Sequence, residues 1–373
     1  MKIAVFHNFM DNLGGAEVVT LSLARGLDAD IYTTNIDIEQ IKKMGFEDVV
    51  PRIRSLGKIP KMAPFRHQLA FWKFRRLNLG RTYDFYIISG DWAMSGAVNN
   101  HPNLWYVHSP LNELWAFKDY VRNNLLTWWK KPIFDIWVSL NRKLTLKYSK
   151  YVDVWVCNSV NTQNRIKKYY GKDATVVHPP VDISKHAEKK SEGFWLSVNR
   201  LTINKRIELQ MKAFSKLPDE KLIIVGSYEK GAKQFEDYKR RIELIKPANV
   251  EIMSWVDYAT LVSLYDTSKG FITTAKDEDF GMTPIEAMAS GKPVIAPNEG
   301  GYKETVIDGK TGILIDDINE DKIIKAIETI SSELRNNPQK YKDLCLDQSK
   351  KFDVKVFLNM IVNSISGPYN ISL

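Results

Sequence analysis

The chain is expected to fold as two doubly wound α/β domains facing across a cleft, and three observations predict it. Short apolar runs of strand type alternate with runs of helical period, the pattern of parallel sheets covered by helices. The alternation begins afresh after His178-Pro179-Pro180-Val181-Asp182, and 373 residues suffice for two cores of ordinary size. The run 3–7 is too brief for a signal h-region and lacks a small-residue cleavage site, so it reads as a first strand. Runs 29–33, 85–89, 105–108, 154–158 and 175–178 continue that sheet, with helices over 16–27 and 160–169. The proline pair and the polar stretch 184–193 form the linker. Runs 194–198, 221–225, 250–253, 270–274, 293–296 and 312–315 supply the second sheet, and 354–365 a last apolar helix. The expected boundaries are 1–180, 181–353 and 354–373. Ligands of such sheets bind beyond the carboxyl ends of the strands.

Composition narrows the partners. Cys157 and Cys345 are far apart and without metal-type spacing, so neither a disulfide framework nor a zinc site is expected, and a reducing cytoplasm fits. No uncharged apolar run reaches the roughly 18–20 residues of a spanning helix; 125–140 is broken by Lys130, Lys131 and Asp135. The net charge of +9 lies in the first half, where residues 1–180 hold 25 Lys and Arg against 15 Asp and Glu. Residues 49–83 carry Arg52, Arg54, Lys58, Lys61, Arg66, Lys73, Arg75, Arg76 and Arg81 without an acid, interleaved with Phe65, Phe71, Trp72 and Phe74. Eight of the ten tryptophans also fall in that half, including Trp128-Trp129 before Lys130-Lys131. A basic stretch with interfacial aromatics rests on anionic lipid, so peripheral contact with the inner face of the cell membrane is expected. A solvated basic face over an aromatic core is the plainer reading. Nucleic acid is not expected, because no helix-turn-helix, zinc-finger or RNP-like signature accompanies the patch.

The chemistry concentrates in Glu278-Asp279-Phe280-Gly281-Met282-Thr283-Pro284-Ile285-Glu286, where two glutamates stand eight positions apart around a turn and a helix start. A glycine-bearing turn entering a helix points backbone N–H groups and the positive end of the dipole outward, which suits a phosphate. Carboxylates beside such a site suit sugar or ribose hydroxyls. Upstream, Arg200 and Lys205 follow a strand end, and paired cations there stabilise the charge that develops on a departing diphosphate. Read alone, each segment is an ordinary helix opening or surface loop; their succession points to a nucleotide-sugar site. Asp277-Glu278-Asp279 and Asp28-Ala29-Asp30 mimic a metal-binding Asp-x-Asp, but no sustained His/Asp ligand cluster accompanies them, so no metal and no cofactor is expected.

From Glu278 through Gly291-Lys292-Pro293-Val294-Ile295-Ala296 the chain resembles the donor-site signature of retaining glycosyltransferases of family 4, in the GT-B class. The resemblance implies Glu278 on the donor sugar and Glu286 on the ribose. It further implies Arg200 and Lys205 on the diphosphate, with Phe280, Gly281, Met282 and Thr283 forming the turn beside it. Gly14 and Gly15, in Asn12-Leu13-Gly14-Gly15-Ala16-Glu17, open the first helix and in that family face the donor; they are no Gly-x-Gly-x-x-Gly fingerprint. His108, in Tyr106-Val107-His108-Ser109-Pro110, matches a histidine turn near the transferred sugar and is carried over as a catalytic candidate. His7, His67, His101, His178 and His186 have no such placement. The last helix is expected to pack back on the first domain.

Segments 106–110, 158–162 and 178–182 look like mannosyltransferases that extend lipid-linked or O-antigen oligosaccharides, which favours GDP-mannose over UDP-sugars. Ser254-Trp255-Val256 and Thr274-Ala275 depart from the common pattern near the base and leave its identity open. The implied activity is transfer of a hexose, mannose favoured, to a lipid-linked or cell-surface saccharide. The alternatives are an epimerase or phosphorylase of the same fold, or a non-enzymatic basic membrane or nucleic-acid binder.

Overall fold

The computed structural model describes residues 1–11, 14–60, 65–111, 114–227, 233–254 and 256–369. The chain forms two compact units: one comprises Met1–His178 together with the C-terminal segment from Phe357, the other Pro179–Val356.

In the first unit the strands are β1 (Ile3–Phe6), β2 (Asp30–Thr33), β3 (Ile53–Ser55), β4 (Phe85–Ile88), β5 (Asn103–Val107), β6 (Val154–Cys157) and β7 (Thr175–Val176). They form one parallel sheet in the order β3-β2-β1-β4-β5-β6-β7. β1 and β4 are buried along their whole length, as expected of near-continuous apolar runs covered on both faces. Their register sets Val5 between Ile31 and Ile87. β3 escapes the sequence reading because Ile53-Arg54-Ser55 is a short, polar edge strand. The helices Phe65–Arg76 and Lys130–Tyr148 escape it too. Both carry large apolar side chains on the solvent side as well as the core side, and this blurs the one-faced period by which a helix is recognised. The C-terminal helix Val354–Tyr369 contributes Phe357, edge-on to Tyr106 at 5.7 Å. It approaches so near the helix Gly15–Gly26 that a Cβ on Gly26 would lie 2.3 Å from Leu358 Cδ1.

The second unit holds β8 (Phe194–Arg200), β9 (Lys221–Ser227), β10 (Val250–Met253), β11 (Gly270–Ile272), β12 (Val294–Pro297) and β13 (Gly312–Ile315). This sheet is also parallel, in the order β10-β9-β8-β11-β12-β13, around a core that includes Trp195, Phe214, Phe271 and Ile295. β8 runs two residues past the expected Val198, so Arg200 is its last residue.

Each sheet reverses its strand order once, between β1 and β4 in the first unit and between β8 and β11 in the second. Connections leave such a switch point in opposite directions and open a crevice at the carboxyl ends of the two strands. The candidate residues gather near these two places.

Candidate functional site

In the second unit two loops are laced together beyond β8 and β11. Lys276 N donates to Asn204 O at 2.7 Å, and Thr274 Oγ1 donates to Lys205 O at 2.7 Å. Arg206 lies in the left-handed region with φ of 51°, a costly conformation for a side chain with Cβ. Its guanidinium holds it there by donating from Nε to Thr274 O at 2.6 Å, to Ala275 O at 3.2 Å, and to the Glu299 carboxylate. The lacing places Lys205 Nζ 2.6 Å from Glu278 Oε2, with the two side chains 16% and 24% exposed. A partly buried, charge-assisted contact of this length fixes both groups. Arg200 is exposed at the end of β8, and none of the described residues bonds its guanidinium to this pair.

The loop bearing Glu278 depends on glycines on both sides. Gly281 has φ of 90°, and a Cβ there would lie 2.6 Å from the Tyr302 ring. Gly300 has φ of 59°, and its Cβ would meet Glu278 O at 2.4 Å. Gly301 N donates to that same carbonyl at 2.8 Å. Gly281 also stands at the N-cap of the helix Met282–Ala289 and makes no side-chain cap bond to its first turn. Ser159, Asp257 and Asn319 cap their helices with a side-chain oxygen. The N-terminus at Gly281 has no such cap side chain, the type of helix end that can receive an outside oxygen, and Met282 and Thr283 are half-buried in its first turn. Phe280 is buried beneath, edge-on to Phe352 at 5.6 Å. One turn further on, Glu286 Oε2 accepts from Tyr265 Oη at 2.6 Å, and the burial around its carboxyl raises its pKa against the opposing effect of that bond. Its hydrogen bond to a phenol leaves carboxylate lone pairs for a further hydroxyl.

In the first unit His108 follows β5, half-buried. Its Nε2 lies 2.8 Å from Ser89 Oγ, Ser89 Oγ lies 2.7 Å from Thr20 Oγ1, and Thr20 Oγ1 lies 3.1 Å from His7 Nδ1. His7 Nε2 in turn lies 3.7 Å from Glu17 Oε1. Three strand ends, those of β1, β4 and β5, and one helix thus feed a chain of polar groups that starts at His108 and ends at a carboxylate. Burial, then the neighbouring His7, lower the His108 pKa to about 3, so the ring is neutral at physiological pH. No described residue bonds its Nδ1. Gly14 stands at the N-cap of the helix Gly15–Gly26 and makes no side-chain cap bond. Asn12 and Leu13 of that loop lie outside the described residues, as do Trp255 and Lys61. Asp11, just before the loop, is held by Arg66 Nη2 at 2.5 and 2.7 Å.

Sequence reasoning thus reaches Lys205, Glu278, Gly281, Glu286, Gly14 and His108 as residues placed beyond strand ends at or beside the switch points. It misses Arg206, Tyr265, Glu299, Gly300 and Tyr302, which support the loops, and it gives no role to His7. The Gly300-Gly301 pair after β12 carries the same signal as Gly14-Gly15 after β1, consecutive glycines between a strand and a helix. His7 carries none, because its partners Thr20 and Ser89 are distant in sequence.

Comparison with known proteins follows this division. The family described as Glycosyltransferase Family 4 matches residues 13–185, and that described as Glycosyl transferases group 1 matches residues 180–343. The alpha-1,3/1,6-mannosyltransferase ALG2 of Dictyostelium discoideum is 30% identical, with 98% of this chain and 98% of its own length covered. A second relative, from Corynebacterium glutamicum, is the GDP-mannose-dependent monoacylated alpha-(1-6)-phosphatidylinositol monomannoside mannosyltransferase, 27% identical over 52% of this chain and 57% of its own. Among solved structures, Anabaena HepE in complex with UDP-glucose shares the fold, with a TM-score of 0.76 at 17% identity, covering 98% of this chain and all of that one.

Proposed function

The chain belongs to the group 1, family 4 glycosyltransferases of GT-B fold, and from that membership we propose a retaining hexosyltransferase that moves mannose from GDP-mannose to a saccharide carried by a lipid. Mannose is supported by the full-length likeness to ALG2. GDP and a lipid-borne acceptor are supported by the corynebacterial relative, whose name specifies both. The observation that carries the reading is the Lys205–Glu278 pair at 2.6 Å beside the uncapped N-terminus at Gly281, beyond the β8/β11 switch point.

In this reading the diphosphate of the donor lies against the first turn of Met282–Ala289, where backbone N–H groups and Lys205 neutralise the charge that grows as it departs. Arg200, free to swing from the end of β8, adds a second cation. Glu278 accepts from hydroxyls of the transferred sugar, and Glu286, oriented by Tyr265, accepts from the ribose. The bond between the anomeric carbon and the phosphate oxygen breaks, and the acceptor oxygen bonds to that carbon on the same face. The acceptor proton passes to the departing phosphate oxygen. No protein nucleophile is assigned. His108 acts as a neutral hydrogen-bonding group near the sugar, its Nε2 engaged by Ser89 and its Nδ1 turned to hydroxyls. Cations and a helix N-terminus supply what a divalent metal supplies elsewhere, so transfer is proposed to need none.

The acceptor lipid places the protein at a membrane surface, proposed as the inner face of the cell membrane. No helix among the described residues is long and apolar enough to cross a membrane. The test is an assay of the purified protein with GDP-mannose or UDP-glucose and a phosphatidylinositol mannoside or diphosphate-lipid glycan. An α-mannoside formed from GDP-mannose is expected. A β-linked product, or turnover of UDP-glucose alone, would overturn the reading.

A further inference from the structure

The helices Phe65–Arg76 and Lys130–Tyr148 each present an apolar stripe to solvent. On the first, Phe65, Leu69 and Trp72 recur at helical spacing and are 68%, 42% and 44% exposed. Its other face buries Arg66, Ala70, Phe71 and Phe74. On the second, Ile133, Ile136 and Leu140 are each 62% exposed, while Val138, Asn141, Thr145 and Tyr148 face inward. Just before it stand Trp128 at 82% and Trp129 at 52%. The helices lie side by side: Gln68 Nε2 donates to Asn141 Oδ1 at 3.2 Å, and Phe71 meets Tyr148 edge-on at 5.0 Å. Leu69 and Leu140 flank that hydrogen bond in sequence, so the two stripes join into one surface. Single exposed hydrophobics are ordinary, but two aligned stripes bearing three tryptophans are not.

Charge identifies the occupant. Arg76, Lys130, Lys143 and Lys147 are exposed on the same two helices. The first helix has no acid, and Asp135, the one acid of the second, is engaged by Arg122 at 2.8 Å and Lys118 at 3.5 Å. A second copy of this face would bring like charges together. Anionic headgroups would meet the cations, while indole and branched aliphatic side chains suit the depth just below them.

We infer that this two-helix face is the surface by which the protein inserts shallowly into an anionic bilayer leaflet. It rests on the proposed function only in that a lipid-borne acceptor gives such insertion a use. Vesicle binding is measured by sedimentation, without donor or acceptor, on phosphatidylcholine with and without phosphatidylglycerol. The wild-type protein is compared with Trp72→Ser/Trp129→Ser/Ile136→Ser, whose fold is checked by circular dichroism. The wild type binds the anionic vesicles, and the variant binds at least about tenfold more weakly, while both transfer equally to a water-soluble acceptor. Equal binding by both proteins, equal binding of the wild type to neutral vesicles, or a dimer abolished by the variant without any vesicle binding would overturn the inference. A protein that binds vesicles through this face yet transfers no mannose would refute the reaction and leave the surface standing.

Discussion

The two units are built on the same parallel plan and differ in how their functional residues are held. In the second unit the candidate side chains are few and come from two short segments, and they are fixed by bonds between two neighbouring loops. Lys205, Arg206, Thr274 and Glu278 are joined to one another or to adjacent backbone at 2.6–2.7 Å. In the first unit the corresponding region is a relay whose members come from β1, β4 and β5 and from the first helix, and its most distinctive surface lies elsewhere, on two helices with apolar outer faces. On the proposed function, the difference follows the chemistry each unit would face. A nucleoside diphosphate is small, charged and invariant, so a rigid, local cradle suits it. A lipid-bound saccharide calls for a broad surface, which many separated residues can supply.

The largest expected effect falls on the cradle. Lys205→Ala and Glu278→Ala each lower kcat by about 10²–10³-fold, the range for removing one preorganised charge-stabilising group, with circular dichroism unchanged. Near-normal turnover in both would break the contrast between the units. Next comes Gly300→Ala, which deletes nothing yet forces a Cβ against Glu278 O. It is expected to lose about 1–3 kcal/mol of unfolding stability in thermal melts and much of the transfer, whereas Gly309→Ala, at a positive φ but with open space, retains transfer.

These glycines also show what the sequence makes legible. The Glu278 to Glu286 motif is contiguous, and its turn, proline and helix start can be read from residue types alone. Both sheets are legible for the same reason, since buried parallel strands are apolar runs. The supports are not. Arg206 adopts a strained φ whose compensation comes from Thr274, Ala275 and Glu299, all about 70–90 positions away, and only folding discloses it. His7 is silent in sequence for the same reason, and the helices Phe65–Arg76 and Lys130–Tyr148 are hidden by the exposed apolar residues on which the inferred membrane surface rests.

A smaller effect is expected in the first unit. His108→Gln lowers kcat by about 10²-fold or less, as for loss of one positioned hydrogen-bonding group, and Ser89→Ala, which frees the ring, reproduces part of that loss in kcat. The same histidine leaves a signature in stability. Its pKa falls from 6.5 unfolded to about 3 folded, so the unfolded chain binds more protons between those values. Stability is full above about pH 6.5 and declines as pH falls toward 3, with a slope from this group of up to about 1.4 kcal/mol per pH unit. Urea melts of His108→Gln are expected to show a shallower acid decline than wild type; identical pH profiles would remove the neutral-histidine assignment. Glu286, whose pKa is raised by burial, contributes with opposite sign: its stability is fully present below about pH 4.5 and is lost as pH rises from there through the raised folded value. The smallest effect concerns metal: EDTA is expected to leave kcat/KM within about twofold, and its abolition by EDTA would show that the cradle's cations are insufficient.

The most direct measurement is calorimetric titration of GDP into wild type, Lys205→Ala and His108→Gln. Tight binding to wild type and His108→Gln, with affinity lower by about tenfold or more in Lys205→Ala, is the predicted result. Equal affinity in all three proteins, or a loss that follows His108 rather than Lys205, would contradict the assignment of the nucleotide to the second unit.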